Sequence, residues 1–221
     1  MTDESPFGAY LAATAFMDFD HPEVRAYAEQ NHTVGASDVD NAVQLYNAVR
    51  DDFRYNPWGV VPDADRFKAS AVLHKAPTEG GHCIDKANLL AACTRSVGIP
   101  SRLHFANVRN HIGTESLEKQ LGTDLLVFHG YVELFLDGAW VAATPAFNLE
   151  LCERLGVEPL QFDGRSNSIL QEYDAAGGLF MEYVHDYGSF AEIPFEMMIG
   201  EWRKYYQGFA AHGFWPKRPG A

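Results

Sequence analysis

Apolar residues recur along this chain in two rhythms. From Ser37, the stretch SDVDNAVQLYNAVRDDF sets Val39, Ala42, Val43, Tyr46, Val49 and Phe53 at the spacing of one helical face. Ser37 followed by Asp40 resembles a capping box, so a helix is predicted to begin there. A shorter helix is predicted over Pro22–His32, with its proline in the first turn. Residues 56–81 read as a loop, broken by Pro57, Gly59, Pro62, Pro77, Gly80 and Gly81. Helical spacing returns at Cys83, where Cys83, Ala87, Leu90, Thr94 and Val97 share a face; Gly98 then supplies a left-handed cap and Pro100 prevents continuation. The rhythm next shortens to two: Ser101–Val108 reads as a strand, and Leu125–Leu136 with Ala139–Thr144 as a hairpin turning at Asp137-Gly138. After residue 150 the pattern weakens to a short strand at Phe180–Val184, a loop holding His185 and Asp186, and a final helix over Pro194–Gln207.

No repeat or linker divides these elements. With 221 residues, 47% hydrophobic and 13% aromatic, the chain can bury one sizeable core, so residues 1–221 are expected to form a single domain. Seventeen basic against 30 acidic residues give a net charge of −13, which disfavours nucleic acid and anionic membrane surfaces as partners. The opening MTDESPFGAYLAATAFMDFD has no basic segment leading an apolar run, and no window resembles a membrane span; a soluble, cytoplasmic protein is expected. Three cysteines, Cys83, Cys93 and Cys152, suit reduced thiols better than a disulfide framework. Neither HExxH nor CxxC spacing occurs, nor a phosphate-binding GxxxxGK[ST], so neither metal nor nucleotide cofactor is expected.

The chemistry concentrates in TEGGHCIDKANLLAACTRSVGIPSRL. Cys83 falls in a helix's first turn, where unpaired N–H groups and the helix dipole favour thiolate over thiol. The glycine pair before it lets another chain pass close by. This placement suits an activated nucleophile whose own N–H helps bind an oxyanion. Counting outward from the Asp137-Gly138 turn pairs Leu136 with Ala139, Tyr131 with Thr144 and His129 with Ala146. His129 then shares a face with Thr144, a diagonal neighbour whose hydroxyl could hold an imidazole nitrogen.

Together, GGHC…LLAACTRSVGIPSRL…FHGYVELFLDGAWVAATP resembles the core of transglutaminase-like cysteine enzymes. In that core a cysteine starts a helix, an arginine follows the GIP end, a histidine opens a strand and a tryptophan strand follows the turn. The resemblance spans residues 38–150, including VRDDFRYNPWG, and leaves 151–221 as a C-terminal extension packed on the core. It implies a papain-like α+β fold: N-terminal helices, with the catalytic helix packed on an antiparallel sheet. Cys83 would be the nucleophile and His129 the base. Where that family carries an aspartate, this sequence has Thr144, leaving Thr144 or Asn148 to orient the histidine. Tyr55, Asn56 and Trp58 are candidates for a second oxyanion donor, with packing as the competing role for the aromatics. GGHCIDKANLL also resembles the cysteine motif of arylamine N-acetyltransferases, with Glu79 in place of that family's arginine. The implied function is acyl-enzyme chemistry on a peptide, amide or thioester substrate, by hydrolysis or transfer to an amine. The competing reading is a catalytically reduced binding module of the same fold.

Overall fold

The computed structural model describes residues 6–58, 60–111, 118–119, 121–171, 176–178 and 180–206. Two short N-terminal helices, α1 (Gly8–Leu11) and α2 (Pro22–Gln30), precede α3 (Asp38–Asp52), whose Ser37 side chain accepts from Asp40 N–H as its sequence anticipates. A 3₁₀ turn (Ala64–Phe67) leads into α4 (Ala69–Glu79) and then α5 (Cys83–Ser96). The strands β1 (Ser101–Asn110), β2 (Leu125–Leu136) and β3 (Ala139–Ala143) follow, then α6 (Leu149–Leu155), β4 (Met181–Phe190) and α7 (Phe195–Tyr205). The four strands form one antiparallel sheet in the order β3-β2-β1-β4. This is the expected α+β architecture of a helix laid on an antiparallel sheet.

Helix α5 is the centre of the packing. It touches α2, α3 and α4 on one side and β1 and β2 on the other, so even Lys86, Asn88, Thr94 and Arg95 are buried within it. From the sheet, Leu103, Phe105, Val132 and Leu134 are fully enclosed and face this helix layer. At Gly130 the helix and sheet come so close that a Cβ would lie 3.0 Å from Phe105 and 3.3 Å from Ile84. Arg95 fastens the far end, donating to the carbonyls of Ser101, Ala12 and Ala191.

Three expectations change. Residues 69–79, expected to be loop, form α4, which carries Pro77 inside its last turn at the loss of one backbone donor, and Gly80 caps it at φ +79°. His185 and Asp186 lie within β4, which extends well beyond Val184 with irregularities in its register against β1. The hairpin register is as counted from Leu136↔Ala139 to Val132↔Ala143, but the ladder ends there. Beyond it Ala143 bridges Ser168, and Thr144 N–H donates to Ser168 O at 2.9 Å instead of pairing with Tyr131. The breaker Gly59 and the expected helix end Gln207 lie outside the described residues. Among the described residues no helix is long and apolar enough to cross a membrane.

Candidate active site

The start of α5 is built by the segment before it. Gly81 accepts from Asn56 N–H and donates to Arg54 O, laying residues 54–56 directly alongside. A side chain at Gly80 would lie 2.8 Å from Arg54 O and 2.9 Å from Asn56 Cβ, so the first glycine is required both by its positive φ and by this contact. His82 is the N-cap: its Nδ1 accepts from Ile84 and Asp85 N–H at 3.1 and 3.3 Å, while Asp85 accepts from His82 N–H. Two accepted bonds at Nδ1 fix the neutral ring with its proton on Nε2. Burial holds that ring neutral by pushing its pKa down to about 4, and Lys75 pairs with Asp85 at 3.0 Å. The cap occupies the second and third amides of the helix and leaves that of Cys83 for other use.

Cys83 itself is half-buried and packs against both apolar clusters of the protein. Burial pushes its thiol up to about 11, opposed by backbone N–H groups of Gly130, Ile84 and Cys83 that face the sulfur. The acidic thiol expected from the helix start is therefore absent in this state. Desolvation of a thiolate outweighs the amides and dipole. Cys93 and Cys152 are buried core thiols, also raised by burial. None of the three is in a disulfide.

Gly130 connects the sulfur to the other half of the site, because its chain neighbour is His129. Register slips between Ala106↔His129 and Val108↔Leu126, and Phe128 adopts φ +63°. The amide this bulge releases, Phe128 N–H, is taken by the buried Asn107 side chain at 3.0 Å. Bulges of this kind re-aim a side chain at a strand end. His129 is 3% exposed, and neither ring nitrogen has a hydrogen-bond partner among the described residues. Burial alone pushes it down to about 4, so the ring is neutral. A notch bordered by Thr144, Ala146, Phe147 and Gln171 opens beside it.

Of the two expected orienting residues only Thr144 borders the His129 notch, and both are engaged elsewhere. The Thr144 hydroxyl donates to Ile169 O at 2.7 Å, and Asn148 Oδ1 accepts from Tyr55 N–H at 3.0 Å. Of the upstream candidates, Tyr55 packs on Phe147 with ring centroids 4.8 Å apart, and the Asn56 side chain is spent on Glu79 O and Trp58 N–H. Trp58 lines a second cleft, on the His82 side of the helix start.

Sequence reasoning passed over His82, Asp85 and Lys86. The first two were legible as a polar residue before a helix with an acid three residues later. Lys86 Nζ donates to Arg50 O, Phe53 O and Ala146 O at 2.8, 2.7 and 2.9 Å, joining the end of α3 to the wall of the His129 notch. Arg102, by contrast, lies on the sheet's other face, bonded to Glu133 at 2.7 Å and stacked 4.2 Å over Trp140.

A family model describing the transglutaminase-like superfamily matches residues 25–145, more than half of the chain. The chain belongs to that superfamily. The crystal structure of a candidate cysteine protease from Cytophaga hutchinsonii is similar in fold, with a TM-score of 0.51 at 13% identity. The match covers 86% of this chain and 48% of that one, so this transglutaminase-like chain spans about half the length of its structural neighbour. No curated protein matches the sequence. Family and fold together support cysteine-based catalysis in general.

Proposed function

We propose that this transglutaminase-like protein forms an acyl-enzyme on Cys83 with His129 as general base, and that its first reaction is amide hydrolysis. The observation that carries the reading is the convergence at the start of α5. One sulfur faces the N–H groups of its own helix and that of Gly130, the residue next to a neutral, unpartnered imidazole. With the thiol near 11 and His129 near 4, the resting pair is neutral rather than an ion pair. The thiol proton then passes to His129 as the sulfur attacks the carbonyl, and the Cys83 N–H left free by the His82 cap receives the oxyanion. Imidazolium returns the proton to the leaving amine, and water resolves the thioester with His129 again as base. The description of the structural neighbour as a candidate protease favours water and a peptide amide; an amine resolving the same thioester would make the protein an acyltransferase. Residues 1–221 act as one unit in this reading, since Leu160, Ile169, Leu170 and Met181 from beyond residue 150 complete the notch.

The test is peptide mass analysis after incubation with 4-nitrophenyl acetate. Acylation at Cys83 that is absent from Cys83→Ala supports the mechanism, and its decay in water against decay with added primary amine separates hydrolase from transferase. A second reading, a binding module, is favoured by the unoriented His129. It prevails if no donor labels Cys83.

A further inference from the structure

Lys86 stands three residues after Cys83 on α5 and is fully buried. Its stem passes beside Gly81, where a Cβ would lie 3.3 Å from Lys86 Cγ, so the second glycine of the pair leaves room for it. Its ammonium, bonded to Arg50 O, Phe53 O and Ala146 O, holds two separate segments to this helix. Phe53 leads into residues 54–56, which exchange hydrogen bonds with Gly81 just before the helix start. Ala146 borders the notch beside His129 and, with Phe147, belongs to the apolar cluster on which Cys83 packs. Asn148 joins the two segments, since its Oδ1 accepts from Tyr55 N–H at 3.0 Å. The contacts thus close a circuit from Lys86 through Ala146, Asn148, Tyr55 and Gly81 back to α5. That circuit depends on the proton. An ammonium offers three N–H donors to the three carbonyls, whereas the neutral amine offers two and a lone pair, so one buried carbonyl then goes unpaired. The charged and titratable groups facing Lys86 are Arg50, Asp51 and Asp52 from α3 and Cys152 from α6; burial outweighs them and pushes the ammonium down to about 7.

We infer that Lys86 is a positioning residue for the reaction of Cys83: its ammonium holds the segments around the helix start in the arrangement that reacts, and loss of its proton slows acylation. The inference rests on the acyl-enzyme reading and adds to it a control by pH. Lys86 touches neither substrate nor the reacting atoms in this account; it acts through the backbone of the residues beside them.

The test is the rate of Cys83 acylation by 4-nitrophenyl acetate in wild type and Lys86→Met, from about pH 5.5 to about pH 8.5. In this step the sulfur–acetyl bond forms as the ester C–O bond breaks, 4-nitrophenolate leaves and the thiol proton passes to His129. With the thiol near 11 and His129 near 4, that pair contributes no inflection within this range. Wild type should be at least about fivefold faster than Lys86→Met at about pH 6, and the ratio should fall through an inflection near 7 as the ammonium is lost. A ratio that stays constant with pH marks a merely structural lysine and overturns the inference, while labelling of Cys83 in both proteins leaves the acyl-enzyme intact. If Lys86→Met fails to fold, the wild-type profile decides: without a descending inflection near 7 the inference falls. Should the ester label Cys83 in neither protein, the amide resonances of Gly81 and Cys83 are followed over the same pH range. An inflection near 7 in wild type alone sustains the positioning and removes the catalysis; resonances that titrate alike in both proteins remove the positioning.

Discussion

Replacing Lys86 with methionine keeps length and volume but removes an ammonium that three carbonyls enclose. Lys86 is fully buried, and its three N–H donors match Arg50 O, Phe53 O and Ala146 O one for one. Two of these acceptors sit at the end of α3, where the helix dipole also favours a cation. Leaving three buried carbonyls unpaired costs roughly 1–3 kcal/mol each. Against this, the variant no longer holds an ammonium out of water, a saving of several kcal/mol. The expected net loss is about 2–3 kcal/mol at about pH 6, where Lys86 carries its charge, read as a shift of about 1 M in a urea midpoint. The pH dependence gives a second check. Burial pushes Lys86 down from 10.5 to about 7. The carbonyls resist that shift without reversing its direction. Between the folded and the unfolded pKa the unfolded chain binds a proton that the native protein does not, so native stability rises with pH through that window. Lys86→Met lacks this contribution, so the stability gap between wild type and variant should widen from pH 7.5 to 9.5. A variant as stable as wild type at about pH 6, or parallel stability curves between about pH 7.5 and 9.5, would refute the account.

Alkylation of Cys83 by iodoacetamide should keep accelerating beyond pH 9, because burial holds the thiol near 11; a plateau below pH 8 would show an acidic thiol instead. His82→Asn keeps an N-cap acceptor and should change stability by less than about 1 kcal/mol, whereas His82→Ala should lose about 1–2 kcal/mol in urea unfolding. Gly80→Ala combines a positive φ with a 2.8 Å approach to Arg54 O and should lose at least about 2 kcal/mol. His129 is held near 4, below the unfolded value of 6.5, so its contribution to stability is present above pH 6.5 and fades as pH falls toward 4. The urea midpoint of His129→Gln should fall less steeply over that range, and equal slopes would contradict the burial of the ring.

Much of this arrangement was legible because it is local. The repeat in α3 and the cap at Ser37 survive intact, as do the GIP end of α5 and the Asp137-Gly138 turn with the five residue pairs beside it. Helix α4 was obscured by Pro77 and the glycines, although Ala69, Val72 and Ala76 carry its buried face at helical spacing. What stayed hidden depends on distant segments. Thr144 leaves the hairpin because Ser168 competes for its backbone, and no count from the turn reveals that partner. Asp186 joins β4 and meets His104 at 2.8 Å across the sheet, a pairing set by strand order. Lys86 sits on a helix that is buried on every side, so amphipathic periodicity cannot say which way it points.

The bonding of Thr144 and the neutrality of His129 are two sides of one arrangement. A buried carboxylate at that position would stabilise imidazolium and raise the ring's pKa. Thr144 instead sends its proton to Ile169 O, and the surrounding wall is apolar, so nothing favours a charged ring before substrate arrives. The sulfur follows the same logic: its amide donors are in place, yet burial keeps the proton on the thiol. On the proposed mechanism, charge therefore appears only as bonds change, and the bound substrate carries part of the work of orienting His129. The bulge at Phe128, held by Asn107, sets the backbone from which the His129 side chain departs but leaves the ring itself without a hydrogen-bond partner among the described residues. On that mechanism the site should tolerate loss of the Thr144 hydroxyl better than loss of Asn107, whose removal frees the Phe128 amide and with it the backbone beside His129.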